Sequence, residues 1–184
     1  DLEVLKGVEI FFQKDVSIYS EGSIFFNGTK DQPIIIYSNN NIGSLVLSNN
    51  DYKFHNVIFK NLSFPKDKDK ILHGGVNVIN SNVEIIDSEI ISSKSEDAIN
   101  LISSNSNINN LKVKNIYADA IDIDFGTLKF KNIFCENVDN DCLDISGSNI
   151  IGTDLNVNNV TEFPASACVR WRIADCGVEF AQQG

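Results

Sequence analysis

Several residue types are scarce in this 184-residue chain, which has no Met, one Trp, two His and three Pro. Both Arg residues, Arg170 and Arg172, lie after residue 160. The chain is acidic, with 25 Asp and Glu against 15 Lys and Arg. Because nucleic-acid phosphates require basic contacts, this composition argues against nucleic-acid binding and against adhesion to anionic membranes. The lack of Met indicates a processed product or a fragment of a larger protein.

Long apolar runs and helical patterns are also missing. A membrane-spanning helix needs about 18 or more consecutive apolar residues, so no membrane insertion is expected. No segment combines an apolar helical face with helix caps, which argues against repeats built from helices. The chain shows no signal peptide either.

A 22-residue repeat is clearest between residues 95 and 160. Asp97, Asp119 and Asp141 are 22 residues apart, and each opens a phrase in which apolar and polar residues alternate. Other positions keep the same step, among them Asn115, Asn137 and Asn159, then Ile116, Val138 and Val160. A fixed period of about 20–50 residues marks a repeat architecture. Alternation of period two within each unit marks strands.

This repeat predicts an all-β fold, a right-handed parallel β-helix of roughly seven coils with about 22 residues per coil. Each coil would pair with the next at roughly 4.8 Å and place one row of side chains per position. Asn suits the corners because it tolerates a left-handed backbone. The predicted β-helix covers residues 1–160, with a looser N-terminal half and a solvated loop at residues 65–70.

Residues 161–184 leave the repeat and form an atypical tail. This segment contains both Arg residues, the only Trp and two of the four Cys. Its composition predicts a segment that is foreign to the repeat. The alternative is a C-terminal cap, which solenoids require at their ends. A cap would pack Trp171, Phe163 and Phe180 over the last coil.

The four Cys residues divide between the repeat and the tail. Cys135 falls in an apolar row of the repeat and is predicted to be a buried thiol. Cys142 falls in a row of small residues. A bridge between Cys168 and Cys176 stays an open alternative.

Acidic residues of the repeat form the candidate functional face. In-register stacking predicts a corner row of Asp97, Asp119 and Asp141, an outward row of Asn100, Asp122 and Asp144, and Asp124 beside Ser146. Like charges at strand spacing repel each other. Solvent, corner backbone N–H groups, a shared proton or a hard cation such as calcium can relieve that repulsion.

Three interpretations of these rows are open. Regular repetition favours a structural role, in which the corner Asp residues accept hydrogen bonds from backbone N–H groups. A second interpretation is a calcium site at Asp122, Asp124 and Asp144. A third is a glycosidase-like site with acid–base or nucleophilic carboxylates. The catalytic candidates for that site are Asp119, Asp141 and Asp144.

The repeat region resembles the pectate-lyase-like superfamily of right-handed β-helix proteins. The resemblance rests on the opening stretch through residues 27–29 and 33–36 and on the phrases at 119–124 and 141–148. It covers nearly all of residues 1–160 and implies a secreted or surface bacterial protein. This fold hosts lyases, hydrolases, epimerases, adhesins and inert scaffolds, so it does not imply one activity.

Within that superfamily, polygalacturonase-type hydrolases resemble this chain at Asp119 and at Asp141 with Cys142. The acid expected before Asp141 is Asn140 here, no Gly-His-Gly phrase follows, and Arg172 has no Lys two residues on. Calcium-dependent lyases imply a Lys or Arg base beside the carboxylates. The repeat offers only lysines for this role, namely Lys94, Lys112, Lys114, Lys129 and Lys131.

These departures favour a non-catalytic β-helix surface or scaffold module that faces carbohydrate, outside the cell or on its surface. The alternative is a polysaccharide-degrading enzyme, either a polygalacturonase-like hydrolase or a calcium-dependent lyase. Polysaccharide is the expected partner, and calcium is the one candidate cofactor. Exposed solenoid ends also predict self-association through unpaired strand edges.

Overall fold

A computed structural model gives the fold and describes residues 1–66, 71–162 and 170–172. Within these residues the regular structure is entirely β, and no helix is long and apolar enough to cross a membrane. The strands are β1 (Leu2–Leu5), β2 (Glu9–Phe12), β3 (Ser17–Ser20), β4 (Ile24–Asn27), β5 (Ile34–Ser38), β6 (Ser44–Ser48), β7 (Asp51–His55), β8 (Val57–Lys60), β9 (Gly74–Ile79), β10 (Asn82–Ile91), β11 (Asp97–Ile102), β12 (Asn105–Ile116), β13 (Asp119–Asp124), β14 (Thr127–Asp141), β15 (Leu143–Ser146), β16 (Asn149–Glu162) and β17 (Arg170–Arg172).

These strands pair in parallel and form two sheets. The larger sheet has 11 strands, with β1, β4, β7, β10, β12, β14, β16 and β17 in spatial order and β2, β5 and β8 beside them. The smaller sheet has six strands, in the order β15, β13, β11, β9, β6 and β3. Each strand pairs with its counterpart one coil away, which stacks the coils. The predicted all-β parallel β-helix is thereby confirmed, with about seven turns spaced about 23 residues apart.

The step between coils is regular only in the second half of the solenoid. Ser106 pairs with Leu128, and Leu128 pairs with Ile150, in the predicted step of 22 residues. In the first half, Tyr52 pairs with Val83 across a longer coil. The looser N-terminal repeat therefore reflects longer connections, not a different fold. Part of the loop predicted at 65–70, residues 67–70, lies outside the described residues.

Asparagine residues turn many of the corners in a left-handed backbone conformation. Asn110, Asn132 and Asn137 have φ values of 57°, 58° and 54°. Nδ2 of Asn132 donates a 3.1 Å hydrogen bond to Oδ1 of Asn110, and Nδ2 of Asn137 does the same to Asn115. Asn tolerates this conformation better than most residues, and its amide can bond the Asn one coil away. These side-chain ladders help keep successive coils in register.

A continuous apolar interior fills the solenoid. Its largest fully buried side chains include Tyr52, Phe54, Phe59, Ile85, Ile99, Leu101, Ile108 and Leu111. The rings of Phe26 and Phe54 stack with their centroids 4.9 Å apart. The alternation read from the sequence therefore separates this interior from the two outer faces.

Cys135 and Cys142 form a disulfide, so the prediction of a buried thiol at Cys135 is wrong. Both residues are fully buried, as their rows in the repeat predicted. The rows of the repeat relate residues of different coils, whereas this bond lies within one coil. The two Cys residues are seven apart and face each other across the corner at the end of β14.

Of the C-terminal segment 161–184, the structure describes residues 161–162 and 170–172. Strand β17 pairs in parallel with β16 and places Arg170 opposite Asn149. Phe163, Phe180 and the Cys168–Cys176 pair lie outside the described residues. The assignment of residues 161–184 as a foreign tail or a cap therefore stays a prediction.

Candidate functional site

The predicted acidic rows lie on the smaller sheet and form what we call the acidic face, defined by Asp97, Asp119, Asp122, Asp124 and Asp144. Asp97 lies opposite Asp119, Asp122 lies opposite Asp144, and Asp124 lies opposite Ser146. The predicted register is confirmed for these pairs, while Asp141 ends β14 of the larger sheet. The strands of this sheet contain five Asp residues but no Lys or Arg. Their charges are therefore not neutralised by cations on the same strands.

The row predicted to point outward is more buried than expected. Asn100 is only 3% exposed, and Asp122 and Asp144 are half-buried. Nδ2 of Asn100 donates to Oδ2 of Asp97 at 2.7 Å and to Oδ2 of Asp122 at 3.2 Å. The Asn100 amide lies between two carboxylates and joins the corner row to the outward row.

Asp119 has the structural role that the sequence favoured for a corner residue. Its Oδ1 accepts a 2.9 Å hydrogen bond from the backbone N–H of Asp141 and a 2.7 Å bond from Nδ2 of Asn140. Buried backbone N–H groups need such partners. Asp119 therefore helps hold the start of the following coil, and two of the three catalytic candidates, Asp119 and Asp141, take part in this corner.

Burial and crowding raise the pKa of several carboxyl groups on the acidic face. Burial, followed by four neighbouring carboxylates of which Asp97 acts most strongly, raises the pKa of Asp122 from 3.8 to about 8. Burial also raises the pKa of Asp97 to about 6, although the Asn100 amide opposes the rise. The pKa values of Asp119 and Asp124 are raised mainly by burial. Asp122 therefore holds a proton near neutral pH and can donate a hydrogen bond.

The carboxylates do not gather into a ready metal site. Among the residues that the structure describes, no group of three or more His, Cys, Asp or Glu side chains is arranged to hold a metal ion. Calcium takes about six to eight oxygen ligands. Asp122 and Asp144 are neighbours on adjacent strands, and Asp124 lies two residues along β13. The calcium site predicted at these three residues stays a prediction.

The lysines considered as a lyase base lie mostly on the other sheet. Lys112 and Lys114 belong to β12, and Lys129 and Lys131 belong to β14. Nζ of Lys114 is 2.8 Å from Glu136, and Nζ of Lys112 is 3.5 Å from Glu89. Lys94 lies outside the strands, three residues before β11 of the smaller sheet. Lys112, Lys114, Lys129 and Lys131 therefore lie on a different sheet from the acidic face.

Sequence reasoning missed two exposed aromatic residues that bracket the acidic strand β13. Tyr117 lies two residues before β13 and is 64% exposed, and Phe125 directly follows β13 and is 72% exposed. In the sequence, Asp119, Asp122 and Asp124 lie between these two residues. Exposed rings beside hydrogen-bonding groups are a common feature of ligand sites.

Phe125 also occupies an unusual backbone position. A left-handed residue follows each of five successive strands of the smaller sheet, namely Asn49, Asn80, Ser103, Phe125 and Gly147. For a bulky residue, φ of 53° is strained by about 1–3 kcal/mol. Such strain often marks a functional position. The sequence carried the signal, since Phe125 interrupts a row of Asn, Ser and Gly in the 22-residue repeat.

The surroundings of Phe125 make room for its ring. A Cβ added at Gly147, the next residue in the row, would lie 2.8 Å from Cδ1 of Phe125. Gly147 also has φ of 60°, which glycine adopts without cost. The absence of a side chain at Gly147 therefore lets the Phe125 ring lie along the next coil.

No protein-family model matches this chain, and no curated protein sequence matches it. The fold and the site thus define its class, a parallel β-solenoid with an acidic face bracketed by exposed aromatic rings. A fold of this kind does not specify an activity, which depends on the chemistry of particular side chains.

Proposed function

We propose that this protein is an extracellular or cell-surface β-helix module that binds a neutral polysaccharide on its acidic face without cleaving it. The observation that carries the proposal is the pair of exposed residues, Tyr117 and Phe125, that flank β13, the strand that contains Asp119, Asp122 and Asp124. Aromatic rings offer broad apolar contact to the C–H faces of sugars. Carboxylates accept hydrogen bonds from sugar hydroxyl groups.

The charge of the face favours a neutral ligand over an acidic one. Five Asp residues without Lys or Arg on the same strands would repel a uronate polymer. The raised pKa of Asp122 gives the face a hydrogen-bond donor, while Asp144 lies beside it on the next strand. A neutral sugar hydroxyl, which both donates and accepts, suits that combination.

Binding without cleavage is supported by the roles that two catalytic candidates already have. Asp119 accepts hydrogen bonds at the corner that contains Asp141, so it serves the fold. The disulfide supports an oxidising compartment, because such bonds persist mainly outside the cytosol. Membership in the pectate-lyase-like superfamily is part of the same proposal and rests on the sequence resemblance.

A second candidate function, glycoside hydrolysis, is favoured by one observation. The carboxyl group of Asp122 has its pKa raised to about 8 and lies opposite Asp144 on the adjacent strand. Retaining glycosidases place a protonated acid about 5–5.5 Å from a second carboxylate that acts as the nucleophile. Side chains on neighbouring strands are separated by about that distance.

A binding experiment with a parallel turnover assay tests both functions. The full chain would be titrated calorimetrically with soluble neutral polysaccharides, including galactan, glucomannan and xyloglucan, while released reducing ends are counted. We expect binding of at least one polymer without release of reducing ends. Phe125→Ala and Tyr117→Ala should each weaken that binding about tenfold, as expected for exposed aromatic anchors.

The matched control is Phe11→Ala, which removes a 40% exposed ring from β2 on the larger sheet and should leave binding unchanged. If no neutral polysaccharide binds, or if Phe11→Ala has the same effect as Phe125→Ala, the proposed function is wrong. Release of reducing ends that stops in both Asp122→Asn and Asp144→Asn would establish the hydrolase instead.

A further inference from the structure

A pocket of about 360 Å³ lies at the corner that follows β12, and its volume falls within the range of about 300–1,000 Å³ typical of ligand sites. Three successive coils line it with Lys94, Tyr117 and Asp139. The backbone N–H of Tyr117 donates to the carbonyl of Ser93, which precedes Lys94, and Ile116 pairs with Val138, which precedes Asp139. We call this the Tyr117 pocket.

The two charged residues of the Tyr117 pocket have opposite signs and lie one coil to either side of the tyrosine. Lys94 and Asp139 are both exposed, and neither forms a salt bridge with a described residue. Two coil steps separate their backbones, a distance of about 10 Å. One cation and one anion are therefore available to a ligand at opposite ends of the pocket.

Between these charges the pocket offers an aromatic ring and amide groups. The side chain of Tyr117 is 64% exposed. Asn115 and Asn137 also line the pocket and are exposed. Nδ2 of Asn137 donates to Oδ1 of Asn115 at 3.1 Å, while no described residue accepts a hydrogen bond from Nδ2 of Asn115. The amide of Asn115 can therefore donate to a carbonyl group of a ligand.

We infer that the Tyr117 pocket binds a short peptide with free termini. Lys94 contacts the terminal carboxylate, Asp139 contacts the terminal ammonium group, and the ring of Tyr117 packs against the chain between them. An extended chain spans about 3.3–3.6 Å per residue, so a tripeptide places its two charged ends about 10 Å apart. A ligand of one charge sign would be attracted by one of these side chains and repelled by the other.

This inference does not depend on polysaccharide binding. The pocket shares Tyr117 with the proposed polysaccharide site, but Lys94 and Asp139 both lie outside β13. Lys94→Gln should therefore leave polysaccharide binding unchanged. Loss of peptide binding with intact polysaccharide binding would count against this inference alone.

Calorimetric titration of the full chain with trialanine tests the inference. Its N-acetylated form lacks the ammonium group, and its C-terminal amide lacks the carboxylate. We expect trialanine to bind and each blocked form to bind about two- to fivefold more weakly, as expected for the loss of one exposed ion pair. Free alanine, which is too short to reach both charges, should bind more weakly than trialanine.

Variants assign each terminus to one side chain. Lys94→Gln and Asp139→Asn should each weaken trialanine binding about two- to fivefold. Lys94→Gln should have no effect on binding of the amidated peptide, and Asp139→Asn none on binding of the acetylated one, because the interacting group is already absent. The matched control is Lys131→Gln, an exposed lysine of β14 that does not line the pocket.

Several results would overturn the inference. These are the absence of trialanine binding, equal binding of both blocked forms and trialanine, or an equal effect of Lys131→Gln and Lys94→Gln. A loss caused by Lys94→Gln that is as large for the amidated peptide as for trialanine would show that Lys94 does not contact the carboxylate. Circular dichroism of every variant checks that the β-helix is intact.

Discussion

The backbone N–H of Asp141 donates a 2.9 Å hydrogen bond to Oδ1 of Asp119, the residue at the same position one coil earlier. Nδ2 of Asn140 donates to the same oxygen at 2.7 Å. One carboxylate thus accepts hydrogen bonds from two donors at the corner between β14 and β15. The acidic rows therefore contain at least one residue that is needed for the fold itself.

Asp119→Ala should lower the free energy of unfolding by about 1–3 kcal/mol, because it leaves a buried backbone N–H without an acceptor. Asp119→Asn keeps one side-chain oxygen and should lower the free energy of unfolding by less than Asp119→Ala does. Urea denaturation followed by circular dichroism measures both changes. Asp139→Ala, at an exposed position of β14, is the control and should change stability by less than about 0.5 kcal/mol. Equal effects of Asp119→Ala and Asp139→Ala would contradict the corner role.

The raised pKa of Asp122 predicts that stability falls as pH rises. The unfolded carboxyl group titrates near 3.8 and the folded one near 8, so the folded state holds more protons between these values. Stability must then decrease with increasing pH across that window. Asp97 adds to the decrease between pH 3.8 and about 6. Below about pH 4 both states are protonated and this contribution is fully present.

Asp122→Asn should remove much of this dependence, since the amide does not ionise. We expect the variant to have a higher thermal midpoint than the wild type at pH 8 and a similar midpoint at pH 4. Each kcal/mol added to the free energy of unfolding raises the thermal midpoint by about 2–4 °C for a chain of this size. The control is Asp154→Asn, at an exposed left-handed corner that Asn tolerates. Its thermal midpoint should match that of the wild type at both pH values. A wild-type midpoint that rises from pH 5 to pH 8 would refute the prediction.

Loss of the Cys135–Cys142 disulfide should destabilise the solenoid. Closing a short loop restricts the unfolded chain, which the chain-entropy treatment values at about 2–3 kcal/mol for a separation of seven residues. The double variant Cys135→Val with Cys142→Ala uses the residue types found one coil earlier, Val113 and Ala120, and so limits packing changes. Urea denaturation of the variant and of the reduced wild type should give similar decreases.

Peptide mapping checks the connectivity directly. After alkylation without reduction and cleavage after Glu136, which lies between the two Cys residues, the peptides that contain Cys135 and Cys142 should be recovered as a linked pair. Separate recovery of both peptides in alkylated form would show that the bond is absent. The wild type and the double variant should then respond identically to reducing agent.

Much of the fold could be read from the repeat. The 22-residue step aligned Asp97 with Asp119 and Asp122 with Asp144, and the strands pair in that register. Stacked coils of constant length carry each residue onto its counterpart, so sequence period translates directly into spatial neighbours. The longer coils before Val83 lacked that constant step, and their register depended on connections that periodicity does not describe.

Other parts of the site could not be read in this way. The Cys135–Cys142 bond joins two rows within one coil, and the repeat relates only residues of different coils. Burial of Asn100 between two carboxylates depends on how closely the outer face is covered. In the sequence, Phe125 interrupts a row of Asn, Ser and Gly. That interruption does not indicate whether its ring is buried or exposed.

The sequence by itself determined the parallel coils, the apolar interior and the alignment of Asp residues on one sheet, because alternation and a fixed period impose them. Only the tertiary structure decided how those carboxyl groups behave. Desolvation and mutual repulsion raise the pKa of Asp122, while Asp119 is committed to the corner at Asp141. Both effects depend on distance and burial in three dimensions, which the spacing of residues along the chain does not specify.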